Sequence, residues 1–124
     1  MEDNIFVFDN RLDTDYLQSI YEGDKDYAGV VFEQFVLSYP EQWAAIEESF
    51  AKEDIKTYKS HIHKIKATFS FVGLTTLTSK AEIVEKNSAE GYDLNTLTTL
   101  HNDFKKNLTE LIPIVEQELV RLQA

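Results

Sequence analysis

The chain has 124 residues, of which 43% are apolar and 27% charged, as expected for one soluble globular domain. It contains no cysteine, which excludes disulfides, thiolate metal sites and a cysteine nucleophile. No apolar run is long enough to span a membrane, and the acidic N-terminus is unlike a secretory signal. We therefore expect a single cytoplasmic domain over residues 1–124 that makes no membrane contact.

The net charge of −10 is unevenly distributed along the chain. Residues 1–50 contain twelve acidic and two basic side chains, whereas residues 51–124 contain ten of each. Such acidity argues against nucleic acid as a partner, because phosphate backbones bind basic surfaces. Residues 52–66 nevertheless carry Lys52, Lys56, Lys59, Lys64 and Lys66 against only Glu53 and Asp54. This local basic segment predicts one docking place for a small anionic group.

Helical periodicity begins near Asp13 or Thr14, either of which can cap a short helix that ends at Gly23. Asp24 then caps a long helix. Its apolar residues recur every three or four positions, at Ala28, Phe32, Phe35, Tyr39, Trp43, Ile46 and Phe50. Pro40 lies within this run, but the apolar phase continues across it. A kink is therefore favoured over the alternative of two separate helices.

The clearest periodicity follows Asp54, with apolar residues at Ile55, Tyr58, Ile62, Ile65, Phe69 and Val72. Gly73 interrupts the pattern. A fourth helix continues to about Ser88 through Leu74, Leu77, Ala81 and Val84. The last helix is capped near Asp93 or Asn95. We expect it to bury Leu97, Leu100, Phe104, Leu108, Leu111, Val115, Leu119 and Leu122.

These patterns predict an all-α fold, an antiparallel up-down four-helix bundle with a short extra helix at the N-terminus. Pro113 is expected to kink the last helix, as Pro40 kinks the second. The segment Ile5–Phe8 resembles a strand, but no other segment alternates with a period of two over a useful length. We expect this segment to pack against one end of the bundle.

The candidate site centres on His63, which lies on the solvent face of the third predicted helix because each residue turns by about 100°. The same face carries Lys56, Lys59, Lys66, Ala67 and Ser70. The lysines can offset the charge of phosphoryl oxygens, and the two small residues leave room for another protein to approach. An imidazole that is neutral near pH 7 is also a competent nucleophile. The pattern predicts phosphorylation of His63.

Glu85 is the candidate for orienting the ring of His63. An imidazole that attacks through one nitrogen needs an acceptor for the proton on its other nitrogen. Glu85 follows Val84 on the fourth apolar stripe just as His63 follows Ile62 on the third. We therefore expect both at the edge of one interhelical seam, with a solvated glutamate as the alternative.

The other histidines are predicted to be structural. His61 lies about 200° from His63 around the helix, at the flank of the core stripe. His101 lies on the apolar side of the last helix, and Lys64 points away from His63. A di-iron site of the kind found in helical bundles uses Glu-x-x-His pairs, and no histidine here has a glutamate three positions before it. No metal site is therefore predicted.

Residues 63–74, HKIKATFSFVGL, resemble the signature of histidine phosphotransfer (HPt) domains. That signature is His-x-(Leu/Ile)-Lys-Gly, followed six residues later by a second glycine and usually an apolar residue. Similar residues also flank it, at Tyr16-Leu17 before Gly23-Asp24, at Phe35–Pro40 and at Ala51–Asp54. Ala67 stands where the family has its first glycine.

The resemblance implies that His63 accepts the phosphoryl group, that Lys66 steadies it, and that Glu85 occupies the place of a Glu or Gln beside the histidine. It implies a two-component relay in which the phosphoryl group passes between receiver-domain aspartates. The implied partners are response-regulator receiver domains, a hybrid sensor histidine kinase, or both. The receiver would supply Mg²⁺, so this chain needs no cofactor.

The chain has no nucleotide-binding glycine motif and no kinase signature, so we expect a monomeric phosphotransfer intermediate and not an enzyme. The alternative is a non-phosphorylated helical module that docks a receiver domain or another partner. The departure at Ala67 is the feature of the sequence that favours this alternative.

Overall fold

The computed structural model describes residues 6–124, which form five α-helices and one 3₁₀ turn without any strand in that range. The helices are α1 (Thr14–Tyr21), α2 (Lys25–Ala51), α3 (Ile55–Phe69), α4 (Thr75–Lys86) and α5 (Leu94–Leu122), with the 3₁₀ turn at Ser70–Val72. The predicted all-α class and the order of the helices are confirmed. Ile5 lies outside the described residues, and Phe8 is buried against Tyr21 and Phe32.

Four helices begin at an aspartate whose carboxylate accepts a hydrogen bond from the backbone N–H three residues later. These caps are Asp13, Asp24, Asp54 and Asp93. Each cap satisfies an N–H group that the helix itself leaves unpaired, which typically stabilises a helix by about 1 kcal/mol. The predicted helix starts are therefore confirmed, because they follow from local hydrogen bonding.

Both prolines lie inside uninterrupted helices, Pro40 in α2 and Pro113 in α5. Each removes one backbone donor, yet the helix continues on either side. The alternative of two helices separated at Pro40 is therefore wrong, and one 27-residue helix covers this part of the chain.

The four longer helices contact one another in a closed ring, since α2 and α4 each pack against both α3 and α5. The stripe predicted for α3 is fully buried, namely Ile55, Tyr58, Ile62, Ile65 and Phe69. Because this stripe faces the centre of the ring, the opposite side of α3 is open to solvent. That open side carries His63.

The buried stripe of α5 differs from the predicted stripe on both sides of Pro113. Leu100, Leu111 and Leu119 are only partly buried, whereas Ile112 and Glu118 are buried. The carboxylate of Glu118 accepts a hydrogen bond from the backbone N–H of Asp9 at 2.8 Å and pairs with Arg121. The N-terminal segment thus covers this end of α5, a contact that apolar periodicity alone does not reveal.

The turn between α3 and α4 requires glycine at position 73. Gly73 has a φ of 76°, and an added Cβ would lie 2.8 Å from side-chain atoms of both Leu12 and Leu17. Its carbonyl oxygen accepts a hydrogen bond from the backbone N–H of Asp13 at 2.9 Å. The segment before α1 therefore braces the turn that joins the helix of His63 to the next helix.

We expect Ile62→Ala to lower the free energy of unfolding by roughly 2–5 kcal/mol, because it leaves a cavity in a well-packed core. Ile62 has no exposed surface, whereas the neighbouring His63 has an exposed side chain. His63→Ala is the matched control and should change the stability little. Urea unfolding of both variants checks this expectation, and equal losses would contradict the helical phase assigned to α3.

Candidate functional site

His63 projects from the middle of α3 with 66% of its side chain exposed. The residues that anchor its helix, Ile62 and Ile65, are completely buried. The imidazole is therefore accessible on a helix whose opposite side is held in the core. A group on a rigid element keeps its geometry while remaining open to a partner.

Glu85 of α4 lies beside this imidazole, with its Oε2 atom 2.7 Å from Nδ1 of His63. Its other oxygen, Oε1, accepts a hydrogen bond from Nζ of Lys66 at 2.8 Å. One carboxylate thus connects the two residues of α3. The sequence predicted that Glu85 lies at the seam between α3 and α4. In the structure, the side chains of His63, Lys66 and Glu85 lie together at this seam.

The carboxylate of Glu85 is held in its charged form. The hydrogen bond from Lys66 lowers the pKa of Glu85 below its usual value, with a further lowering from His63, and both outweigh the effect of partial burial. A charged carboxylate can only accept hydrogen bonds, so Nδ1 of His63 carries the proton and donates it. The lone pair of neutral His63 is therefore on Nε2, which Glu85 leaves free.

The basic residues predicted for the site do not all lie together. Lys59 and Lys66 line a shallow cleft of about 280 Å³ beside Glu85, which Glu82 and Lys86 of α4 complete. Lys56 lies two turns before His63 and lines a separate cleft with Lys59 near Tyr92. Glu82 and Lys86 were not predicted from the sequence to belong to the site, although both lie within one helical turn of Glu85.

The small residues predicted on this face follow His63 along α3. Ala67 is exposed one turn beyond it, and Ser70 is half-buried at the start of the 3₁₀ turn. The face of α3 after His63 therefore carries little side-chain bulk. Lys64 is also exposed, but it lies about 100° around the helix from His63.

His101 has a structural environment, as predicted. It is 3% exposed and lies between the rings of Trp43 and Phe50. Its Nδ1 atom is 2.7 Å from the hydroxyl of Tyr58, and its Nε2 atom is 2.7 Å from Oε1 of Glu47. The neutral ring satisfies both partners when Nε2–H donates to Glu47 and the hydroxyl of Tyr58 donates to Nδ1. His101 thereby connects α2, α3 and α5.

The free energy of unfolding should fall as the pH drops below about 6.5, in part because of His101. Burial lowers the pKa of His101 below its usual 6.5, although the hydrogen bond to Glu47 opposes this. The unfolded chain then binds a proton at a higher pH than the folded chain, so acid favours unfolding. Urea unfolding between pH 7.5 and 5.5 measures the slope.

His101→Phe should flatten this pH dependence, whereas His61→Gln should leave it unchanged. His61 is only half-buried at the flank of α3, which makes it a suitable histidine control. If the free energy of unfolding depends on pH equally in wild-type protein and in His101→Phe, the buried neutral ring of His101 does not cause the loss of stability in acid.

Two findings concern the described residues 6–124 as a whole. No helix among them is both long and apolar enough to cross a membrane. No group of three or more histidine, aspartate or glutamate side chains in this range is arranged to hold a metal ion.

Comparison with known proteins identifies the family. The sequence model of the Hpt domain matches residues 30–123, which include α3, α4, α5 and most of α2. Searches of curated proteins and of solved structures each returned no significant match. The matched region contains His63, Lys66 and Glu85 and covers most of the chain, so the protein belongs to the Hpt domain family of two-component phosphotransfer signalling.

Proposed function

We propose that this protein relays a phosphoryl group between the aspartates of two receiver domains through phosphorylated His63. The arrangement of His63, Glu85 and Lys66 carries this proposal. It combines an exposed imidazole, a carboxylate that selects the reactive nitrogen, and a positive charge one helical turn away. Membership of the Hpt family supports phosphotransfer as the general role.

In the proposed reaction, the lone pair on Nε2 of His63 attacks the phosphorus atom of an aspartyl phosphate. The P–O bond to the aspartate breaks, the aspartate leaves as a carboxylate, and an N–P bond forms. The ring keeps its proton on Nδ1 and becomes cationic, so the negative charge of Glu85 stabilises the product. Transfer to the second receiver reverses these steps.

The ammonium group of Lys66 offsets negative charge on the phosphoryl oxygens during transfer. The receiver contributes Mg²⁺ and most of the remaining catalytic groups. This chain would then contribute a positioned nucleophile and a docking face, without a nucleotide site or a cofactor of its own. It would act as an intermediate in the relay and not as a kinase.

We also propose that α2 to α5 form an antiparallel up-down bundle and that residues 1–124 form a single domain. The closed ring of helix contacts supports this arrangement, as do the short connections at residues 52–54 and 70–74. The proposed partners are response-regulator receivers, a hybrid sensor histidine kinase, or both, and we propose a cytoplasmic monomer.

Incubation with a panel of receiver domains that carry ³²P-labelled aspartyl phosphate tests the function. The expected result is rapid labelling of the protein by at least one receiver, with a label that is labile to acid and stable to base, as in a phosphoramidate. A receiver that binds without transferring any label would favour the docking module instead. An acid-stable label would point to a hydroxyl group and contradict the assignment.

A further inference from the structure

A groove lies between the start of α2 and the end of α5. It encloses about 480 Å³ and is lined mainly by Asp26, Gly29, Val30 and Glu33 of α2 and by Leu122 and Gln123 of α5. The two helices approach closely there, since an added Cβ at Gly29 would lie 3.9 Å from Cβ of Leu122. Because Gly29 has no side chain, space remains at the base of the groove.

Exposed apolar side chains extend this groove along α2. Val30 is 54% exposed, and Leu37 is 74% exposed, more than any other large apolar side chain in residues 6–124. The two are seven positions apart, which is about two turns or 10 Å, so both lie on the same face of α2. Ala44 and Ala51 are exposed and continue the same spacing. Single exposed apolar residues need no explanation, but a row of them along one helix face is typical of a surface that packs against another helix.

Helix α5 contributes to the same surface beside Val30. Nε2 of Gln123 donates a hydrogen bond to Oε2 of Glu33 at 3.2 Å, so this side of α5 faces α2. Val120 precedes Gln123 by about one turn and is 69% exposed. The groove, together with Val30, Leu37 and Val120, is hereafter called the α2–α5 face.

Carboxylates surround the α2–α5 face. Four exposed ones lie one helical turn from an apolar residue of this face, namely Asp26, Glu33, Glu41 and Glu116. Within residues 6–124, none of these four forms an ion pair with a lysine or arginine. Lys25 lies at the end of the groove, where its ammonium group donates a hydrogen bond to a backbone oxygen of Ala124 at 2.9 Å. The face therefore has an apolar centre and a mainly negative rim.

This combination matches a basic amphipathic helix. A helix with apolar residues at every third or fourth position can lay them along the groove and the row of Val30 and Leu37. Lysine or arginine residues at the flanks of that helix would then meet the carboxylates of the rim. A second copy of this chain would instead bring like charges together, and an anionic membrane surface would be repelled by the same rim.

The α2–α5 face and His63 lie on different sides of the bundle. Helix α5 packs against α2 and α4, across the ring from α3. The side of α2 next to α3 carries Phe35, whose ring centroid is 6.3 Å from that of Phe69. Leu37 lies about 200° further around α2. A partner on the α2–α5 face therefore leaves the imidazole of His63 open.

We propose that the α2–α5 face binds a basic amphipathic helix of a partner protein. Val30 and Leu37 provide the apolar contacts, and the carboxylates of the rim provide the charged ones. The partner holds the chain from a side away from His63, so the chain can be bound to it and still exchange a phosphoryl group. This inference goes beyond the proposed function and does not depend on it.

Fluorescence anisotropy with a labelled synthetic peptide tests the proposal. The probe is a peptide of about 18 residues, or five helical turns, with leucine at every third or fourth position and lysine on both sides of the leucine row. Wild-type protein should bind it saturably, with one peptide per chain, and less tightly as the salt concentration rises. A peptide of the same composition in scrambled order, and one with glutamate in place of lysine, should each bind at least about tenfold more weakly.

Two double variants locate the binding surface. Val30→Ala/Leu37→Ala should raise the dissociation constant about tenfold, because it removes the apolar anchors. Glu33→Gln/Glu41→Gln should raise it about threefold at low salt and less at high salt, because it removes charges that salt would screen. All four positions are exposed, and circular dichroism checks that the fold is retained.

Two control variants match these changes elsewhere on the protein. Phe71→Ala/Ile83→Ala removes apolar side chains of the 3₁₀ turn and α4 that are 47% and 48% exposed. Glu90→Gln/Glu110→Gln removes two exposed carboxylates, one after α4 and one on a side of α5 that faces away from α2. Both controls should bind the peptide within about twofold of wild type, since salt screens charges that are far from the bound peptide.

Weaker binding that is confined to the two variants of the α2–α5 face supports the proposal. The proposal is wrong if wild-type protein shows no saturable binding, or if the scrambled peptide binds equally well. It is also wrong if the controls weaken binding as much, because the peptide would then be attracted by the overall acidity of the chain. Sedimentation equilibrium and vesicles of phosphatidylserine and phosphatidylcholine test the other occupants. A dimer, or vesicle binding, that Val30→Ala/Leu37→Ala abolishes would assign the face to a second copy or to a membrane and overturn the proposal.

Discussion

His63→Gln is expected to abolish phosphoryl acceptance while leaving the helical content and the melting temperature nearly unchanged. Glutamine lacks the nucleophilic ring nitrogen, so no N–P bond can form. The side chain is largely exposed, and exposed substitutions usually change stability by less than about 0.5 kcal/mol. Labelling by a phosphorylated receiver, together with circular dichroism during heating, measures both effects.

The remaining histidines provide the controls for this experiment. His61→Gln should accept the label at the wild-type rate, because His61 lies half-buried on another side of α3. His101 is enclosed by aromatic rings and has both ring nitrogens hydrogen-bonded. Label retained in His63→Gln, or found on either of the other two histidines, would contradict the assignment of the phosphoacceptor.

Lys66→Ala is expected to slow phosphotransfer by about 10²-fold at saturating receiver, a typical effect of losing one positioned charge stabiliser. The ammonium group of Lys66 lies one turn from His63 and is held there by Glu85. It can therefore reach the phosphoryl oxygens as charge moves between donor and acceptor. Its side chain is partly exposed, so the stability should change little. Rapid-quench measurements of labelled protein give the rate.

Lys64→Ala is the matched control, since it removes the same charge from the same helix. Lys64 is exposed and lies about 100° around α3 from His63, so its loss should leave the saturated transfer rate nearly normal. A docking module without chemistry would behave differently, because both substitutions would then weaken receiver binding slightly and to a similar extent. A large effect of Lys64 without an effect of Lys66 would contradict the role proposed for Lys66.

The helix boundaries and the buried stripes of α2 to α4 were largely predictable from the sequence. An aspartate cap bonds to an N–H group only three residues away, and a helical stripe repeats every three or four residues. Asp24 and Asp54 begin α2 and α3 as predicted, and the stripe from Ile55 to Phe69 is buried as predicted. These features depend on local geometry, so they can be read without knowledge of the partner helices.

The exposure of His63 was also predictable from local helical geometry, whereas its contact with Glu85 was harder to predict. The helical phase places the imidazole opposite the core stripe regardless of what lies nearby. Whether Glu85 reaches the imidazole depends on the rotation and translation of α4 against α3. In the folded protein, Oε2 of Glu85 lies 2.7 Å from Nδ1 of His63, and Oε1 of Glu85 accepts a hydrogen bond from Lys66.

The helical class, the aspartate caps, the core face of α3 and the candidate nucleophile could all be inferred from the sequence. The burial of Glu118 beneath the N-terminal segment, and the hydrogen bonds of His101 to Tyr58 and Glu47, depend on how the helices pack and could not be inferred in this way. The physical reason is sequence separation: capping and periodicity act within a few residues, whereas these hydrogen bonds join residues that are 43 to 109 positions apart.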